Sequence, residues 1–147
     1  MTDVFSKKKR SWIMGRVKGR DTKPEILVRS IVHRMGYRFR IHCKDLPGNP
    51  DIVLPRHRKV IFVHGCFWHG HKGCPRSERP STNKKFWNTK LDRNVERDKR
   101  LRRTLRRMGW KIFVVWECET RAPDTLLRKL GRFLNDDRGK EARANRS

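Results

Sequence analysis

The run Val60-Ile61-Phe62-Val63-His64-Gly65-Cys66-Phe67-Trp68-His69-Gly70-His71-Lys72-Gly73-Cys74 opens as an unbroken apolar segment and closes as a loop of Gly, Cys and His. Four consecutive apolar residues with no polar alternation predict a central strand buried on both faces, Val60 to Val63. A central strand needs neighbours. Upstream, Leu46-Pro47-Gly48-Asn49-Pro50 is a turn, Asp51-Ile52-Val53-Leu54 a short strand, and Pro55 to Arg58 a second turn. Before them Tyr37, Phe39 and Ile41 alternate with Arg38, Arg40 and His42, the period of a half-buried strand. Thr22-Lys23-Pro24-Glu25 is a helix start: Thr22 caps, Pro24 suits the first turn, and Glu25 completes Thr-x-x-Glu. Leu27, Ile31 and Met35 follow at helical spacing and Gly36 ends the element.

Downstream, residues 64–82 read as irregular. Helical character resumes near Lys84, Asn94-Val95-Glu96-Arg97 reads as a fresh cap, and Leu101, Leu105 and Met108 form a buried stripe ending at Gly109. Trp110 to Trp116 is another apolar strand, and Pro123 opens a last helix carrying Leu126, Leu127, Leu130, Phe133 and Leu134. The order helix, three strands, helix, strand, helix predicts an α/β domain with a mixed sheet. It spans residues 22–135, between a flexible basic arm at 1–21 and a polar tail at 136–147 that is expected to fray.

The chain has 147 residues, enough for one ordinary core. Lys plus Arg number 39 against 15 acids, a formal charge of +24. Solubility asks for a charge of only about 2–8, so the excess points to a polyanion, with nucleic acid first and an anionic membrane surface second. No apolar run approaches the ~20 residues of a membrane span. MTDVFSKKKRSW has no apolar stretch for a signal peptide. The cytoplasm, at the nucleoid, is therefore the expected compartment, and there four cysteines suggest metal or chemistry before disulfides.

Cys66-x4-His71-x2-Cys74 places three zinc-type ligands in one loop. The fourth must come from elsewhere, and Cys118 is the best candidate. If the strand ending at Trp116 lies beside Val60–Val63, their C-terminal ends meet and Cys118 reaches the loop. Four Cys and His ligands leave no open position, so such a site is structural; free thiols beside an exposed His are the plain alternative. Cys43 has no partner at metal spacing.

Asp51, at the rim of a strand, can hold a divalent cation such as Mg²⁺, although taken alone it reads better as a turn cap. His64 and His69 are spare ligands, surface residues, or a base and a phosphate contact. Together with the positive charge they suggest phosphodiester hydrolysis. Phe67, Trp68 and Trp87 lie near Lys84, Lys85, Lys90 and Arg93, an arrangement that can wedge between bases; Phe86 is expected in the core.

The block Phe62 to His71, with Phe86-Trp87, Asn94-Val95-Glu96-Arg97-Asp98, Gly109-Trp110 and Val115-Trp116-Glu117-Cys118, resembles the very-short-patch repair endonuclease family. The likeness includes Arg20-Asp21-Thr22 with Glu25, and Leu46-Pro47-Gly48 with Pro50-Asp51, and covers roughly residues 3 to 135. It implies a restriction-endonuclease-like core and a strand-specific mismatch endonuclease. Such an enzyme nicks 5′ of the thymine in a T/G mismatch left by 5-methylcytosine deamination. It would work alongside a cytosine-5 DNA methyltransferase and mismatch-repair proteins, as a monomer.

The resemblance also implies residue roles. Asp51 would ligate Mg²⁺ with help from the main-chain carbonyl of Val63. His69 would activate water, Glu25 would orient it, and His64 would contact the scissile phosphate or water near the metal. Cys66, His71, Cys74 and Cys118 would hold zinc. Phe67, Trp68 and Trp87 would wedge at the mismatch from the major groove and Met14 from the minor groove, while Lys90 and Asn94 would touch the mismatched bases. The chain departs from some members in having Val at position 63, which a carbonyl ligand tolerates. The Glu-x-Lys pattern usual in the broader restriction-like fold is replaced by Phe62-Val63-His64. Two other readings remain at this point: a restriction-type double-strand nuclease, which would need a dimer, and a non-catalytic zinc-stapled DNA-binding module.

Overall fold

The computed structural model describes residues 22–146, with side chains through Asp136. Met14 and the arm at 1–21 lie outside the described residues. The elements are α1 (Lys23–Arg34), β1 (Ile52–Leu54), β2 (Lys59–His64), α2 (Lys84–Arg107), β3 (Lys111–Trp116) and α3 (Pro123–Arg146). Short 3-10 turns lie at Pro75–Ser77 and Glu117–Arg121.

Helix α1 starts as its sequence dictates: the Thr22 hydroxyl accepts from the Glu25 N–H at 3.4 Å. Its buried stripe is Glu25, Val28 and Val32, one position on from the stripe expected at Leu27, Ile31 and Met35. The sheet is mixed, in the order β1-β2-β3. β1 runs antiparallel to β2, with Ile52 opposite Ile61, and β3 runs parallel to β2, with His64 opposite Trp116. Helices cover both faces. Val28 and Val32 of α1 and Leu126, Leu130 and Leu134 of α3 pack on Ile52, Leu54, Ile61 and Val115. Leu105 of α2 packs on the other face against Val53, Val60 and Phe62.

Several local expectations give way. The strand at 37–41 shrinks to one bridge, Arg40 with Val53, through paired backbone hydrogen bonds of 2.8 and 2.9 Å. Tyr37 is pulled into the core, its hydroxyl donating to Asn135 Oδ1 at 2.5 Å. His42 at φ 54° then turns the chain off the sheet edge. Asn94 does not start a helix; α2 runs unbroken past it, because no Gly or Pro interrupts residues 84–107. Met108 and Phe86 are exposed instead of buried, at 44% and 59%. Helix α3 continues to Arg146, through the segment read as a polar tail. Lys59, at the start of β2, is fully buried and donates to the carbonyl oxygens of Phe133 and Leu134 in α3.

Candidate active site and metal centre

A cleft of about 730 Å³ opens at the C-terminal end of β2, where β1 begins and α1 and α2 flank the sheet. Glu25, Asp51, Val63, His64, His69 and Asp98 all line it. The antiparallel β1–β2 register sets Asp51 beside the end of β2, and the Val63 N–H donates to Asp51 Oδ2 at 2.6 Å. That bond holds the carboxylate at the rim. Burial pushes the Asp51 carboxyl up to about 7; the Val63 N–H opposes the shift and the neighbouring Glu25 charge adds to it. Glu25 is buried and pairs with Arg29 at 3.2 Å. Two carboxyl groups lining one cleft, one of them destabilised as an anion, form a donor set that a hard divalent cation would relieve.

His69 Nδ1 lies 2.6 Å from Asp98 Oδ2, and its ring stacks on His64 at 3.8 Å and 9°. Burial opposes ionisation of Asp98, but the His69 hydrogen bond and the nearby His69, His64 and Arg97 together outweigh it and hold the carboxyl below its ordinary value. A carboxylate there accepts from Nδ1–H, which leaves Nε2 of a neutral His69 as the basic atom. His64 differs: burial, then the neighbouring His69, pulls it down to about 3. It is a neutral ring at physiological pH, not a standing positive charge, and its Nδ1 is buried with no hydrogen-bond partner among the described residues. Asp98 is the functional candidate that the sequence reading gave no role. The available signal was a charge at heptad spacing between Leu91 and Leu105, the other two buried residues of α2.

Beyond β2 the chain coils back on itself. Parallel pairing of β2 with β3 brings the 66–74 loop beside residue 118. The ligand atoms of Cys66, His71, Cys74 and Cys118 lie within 4.8 Å of one another, and Cys118 Sγ is 3.4 Å from His71 Nδ1. Trp116 stacks on His71 at 4.3 Å and 10° and orients the imidazole. Burial pushes the Cys66 thiol up to about 12 and the Cys118 thiol upward. Burial raises Cys74 too, but backbone N–H and thiol donors outweigh it and shift the net downward. Three thiols and one imidazole form a soft, closed set that could hold a metal ion. Gly70, at φ 63°, sits so close to α2 that a Cβ there would lie 2.9 Å from Val95 Cγ2.

Four rings gather where the loop meets the start of α2. Phe67 meets Trp68 at 5.2 Å and Trp87 at 5.6 Å, and Phe86 meets Trp87 at 5.3 Å. Lys90 Nζ stands 5.3 Å from the Trp68 ring centre. Asn94, freed from capping, donates to the Trp68 carbonyl at 3.3 Å. Phe67, Trp68, Lys90 and Asn94 therefore share the cleft with the carboxylates and histidines, and Trp87 joins them through ring contacts.

The fold is similar to the catalytic domain of the homing endonuclease I-Bth0305I, with a TM-score of 0.55 and 21% identity over 77% of this chain and 94% of that one. Residues 2–76 match the family described as DNA mismatch endonuclease Vsr. The chain is 50% identical to the type II nicking enzyme V.XorIIP of Xanthomonas oryzae, over 81% of its length and 87% of the relative's. It is 42% identical to DNA mismatch endonuclease Vsr of Escherichia coli, over 86% and 80%. It is 40% identical to V.NmeAIP of Neisseria meningitidis, over 92% and 96%. The sequence comparisons define the class of protein, a DNA endonuclease. The chain belongs to the Vsr family of DNA mismatch endonucleases.

Proposed function

We propose that this protein nicks one strand of duplex DNA on the 5′ side of the thymine in a T/G mismatch. The observation that carries the reading is the opening of Asp51 and the Asp98-held His69 onto one cleft that the aromatic cluster also borders. Asp51 and the Val63 carbonyl would hold Mg²⁺, which supplies charge stabilisation for the phosphorane-like transition state. His69 takes a proton from the attacking water at Nε2, while Asp98 stabilises the resulting imidazolium through Nδ1. Glu25 orients the water, and neutral His64 contacts a phosphate oxygen as a hydrogen-bond donor. Cys66, His71, Cys74 and Cys118 would hold zinc, tying a loop with little core of its own to β3. Phe67, Trp68 and Trp87 would offer flat faces to unstacked bases, and Lys90 and Asn94, both in contact with Trp68, would touch the mismatched pair.

Mismatches of this kind follow 5-methylcytosine deamination, so the proposed setting is the bacterial cytoplasm, beside a cytosine-5 methyltransferase and mismatch-repair proteins. The proposed acting form is a monomer. No helix among the described residues is long and apolar enough to cross a membrane.

The test is Mg²⁺ with end-labelled duplexes carrying T/G or T/A at one position. A nick in one strand of T/G alone is expected. Cuts in both strands would favour the restriction-type reading, and binding without cleavage would favour the zinc-stapled binding module. Asp51→Ala should abolish nicking and leave DNA binding; normal cutting by that variant would overturn the site assignment.

A further inference from the structure

Helix α2 carries eleven Lys and Arg against three acids. Each acid already has a partner: Asp98 is buried against His69, exposed Asp92 pairs with Arg79 at 2.7 Å, and exposed Glu96 is 3.9 Å from Lys99. Lys90, Arg93, Arg97, Arg100, Arg103 and Arg107 are all exposed and recur at intervals of three or four residues. At 3.6 residues per turn they form one slanting stripe, about 25 Å long at 1.5 Å per residue. Arg93, Arg100, Arg103 and Arg107 make no ion pair and no side-chain hydrogen bond among the described residues. The mechanism uses none of these four arginines.

Unneutralised guanidinium groups in a row repel one another and weaken a helix, unless a polyanion lies along them. The stripe is continuous with the cleft: Lys90 and Arg97 line the cleft itself, and the row then runs away from it toward the C-terminus of α2. About 25 Å corresponds to about seven base pairs at 3.4 Å each. We propose that Arg93, Arg100, Arg103 and Arg107 form a phosphate rail that grips the duplex on one flank of the nick, beyond the mismatch. This rests on the reading of DNA as the substrate and adds where and how the flank is held. Phosphate contacts of this kind fix register without reading sequence, so the rail would set where the scissile bond falls relative to Asp51.

The test is a triple substitution far from the cleft, Arg100→Gln with Arg103→Gln and Arg107→Gln, in the full chain. Binding is measured without divalent metal, against salt, on a T/G duplex. Losing three phosphate contacts should flatten the log–log salt slope by about 2.7, so that between 50 and 200 mM salt the native protein loses about 40-fold more affinity than the variant. The matching lysine triple keeps the charges and should keep the slope. Shortening the duplex on one side of the mismatch should weaken the native protein and leave the glutamine variant unmoved. Equal slopes for native and glutamine proteins, or equal sensitivity to both truncations, would overturn the rail and leave the stripe to another polyanion. A slope change in a protein that does not nick T/G duplexes would support the rail while overturning the mismatch reading.

Discussion

Replacing Asp98 with Asn removes one charge while keeping the shape of a side chain that is 8% exposed. In the native site Asp98 Oδ2 faces His69 Nδ1 at 2.6 Å, so the ring is held as Nδ1–H with Nε2 free to accept. An amide can present its own N–H instead. That favours the opposite tautomer, with the proton on Nε2, the atom that must take a proton from water. A positioned general base is worth ~10²–10⁴ in rate, which is ~3–5 kcal/mol at 1.36 kcal/mol per decade. Single-turnover nicking of a labelled T/G duplex by Asp98→Asn should therefore fall by that factor, with the duplex affinity little changed. The double variant His69→Ala with Asp98→Asn should be no slower than His69→Ala alone, because Asp98 acts through the ring it holds. An Asp98→Asn rate within about threefold of native, or fully additive losses, would refute the assignment. The same bond has a pH signature. Asp98 titrates below its ordinary 3.8, so its stabilisation is present above that value and is lost as pH falls through the folded pKa. The stability gap between native and Asp98→Asn proteins, read from urea melts, should shrink on acidification in that range.

Three further outcomes are expected. Cys118→Ala removes a sulfur 3.4 Å from His71 Nδ1. A structural zinc site is worth ~10–16 kcal/mol in zinc-finger peptides, so the variant should lose its bound metal in a colorimetric chelator assay and melt well below native; unchanged metal content would count against the four-ligand centre. Gly70→Ala combines a left-handed backbone, costing ~1–2 kcal/mol, with the 2.9 Å clash on Val95. It should destabilise by ~2–4 kcal/mol in denaturant melts, and adding Val95→Ala should relieve only the clash. Trp87→Ala removes a ring 5.6 Å from Phe67 and 6.1 Å from Trp68. T/G duplex binding should weaken by the ~1–3 kcal/mol of one stacking platform, and paired T/A duplex by less; equal losses on both would argue against a wedge.

Much of this protein was legible from one-dimensional signals, each with a short physical range. The Thr22–Glu25 cap works within one turn of helix, and Val60–Val63 announces a central strand because only a doubly covered strand tolerates four apolar residues in a row. Cys66, His71 and Cys74 are close along the chain, and pairing two apolar strands in parallel was enough to bring in Cys118. What failed depended on competition between elements. Tyr37 chose the core over the sheet edge, Asn94 stayed inside a helix with nothing to break it, and Phe86 joined an exposed aromatic cluster. By itself the sequence determined the order of the three long helices and of the three strands that form, the polyanion-seeking charge and the types of candidate ligand, since those follow from composition and periodicity. Only the tertiary structure decided that Asp98 holds His69, that burial leaves His64 neutral, and that Asp51 locks onto the Val63 N–H. Those depend on which groups lose water and which partners meet across 12 and 29 residues of chain, and neither desolvation nor long-range contact is written in local spacing.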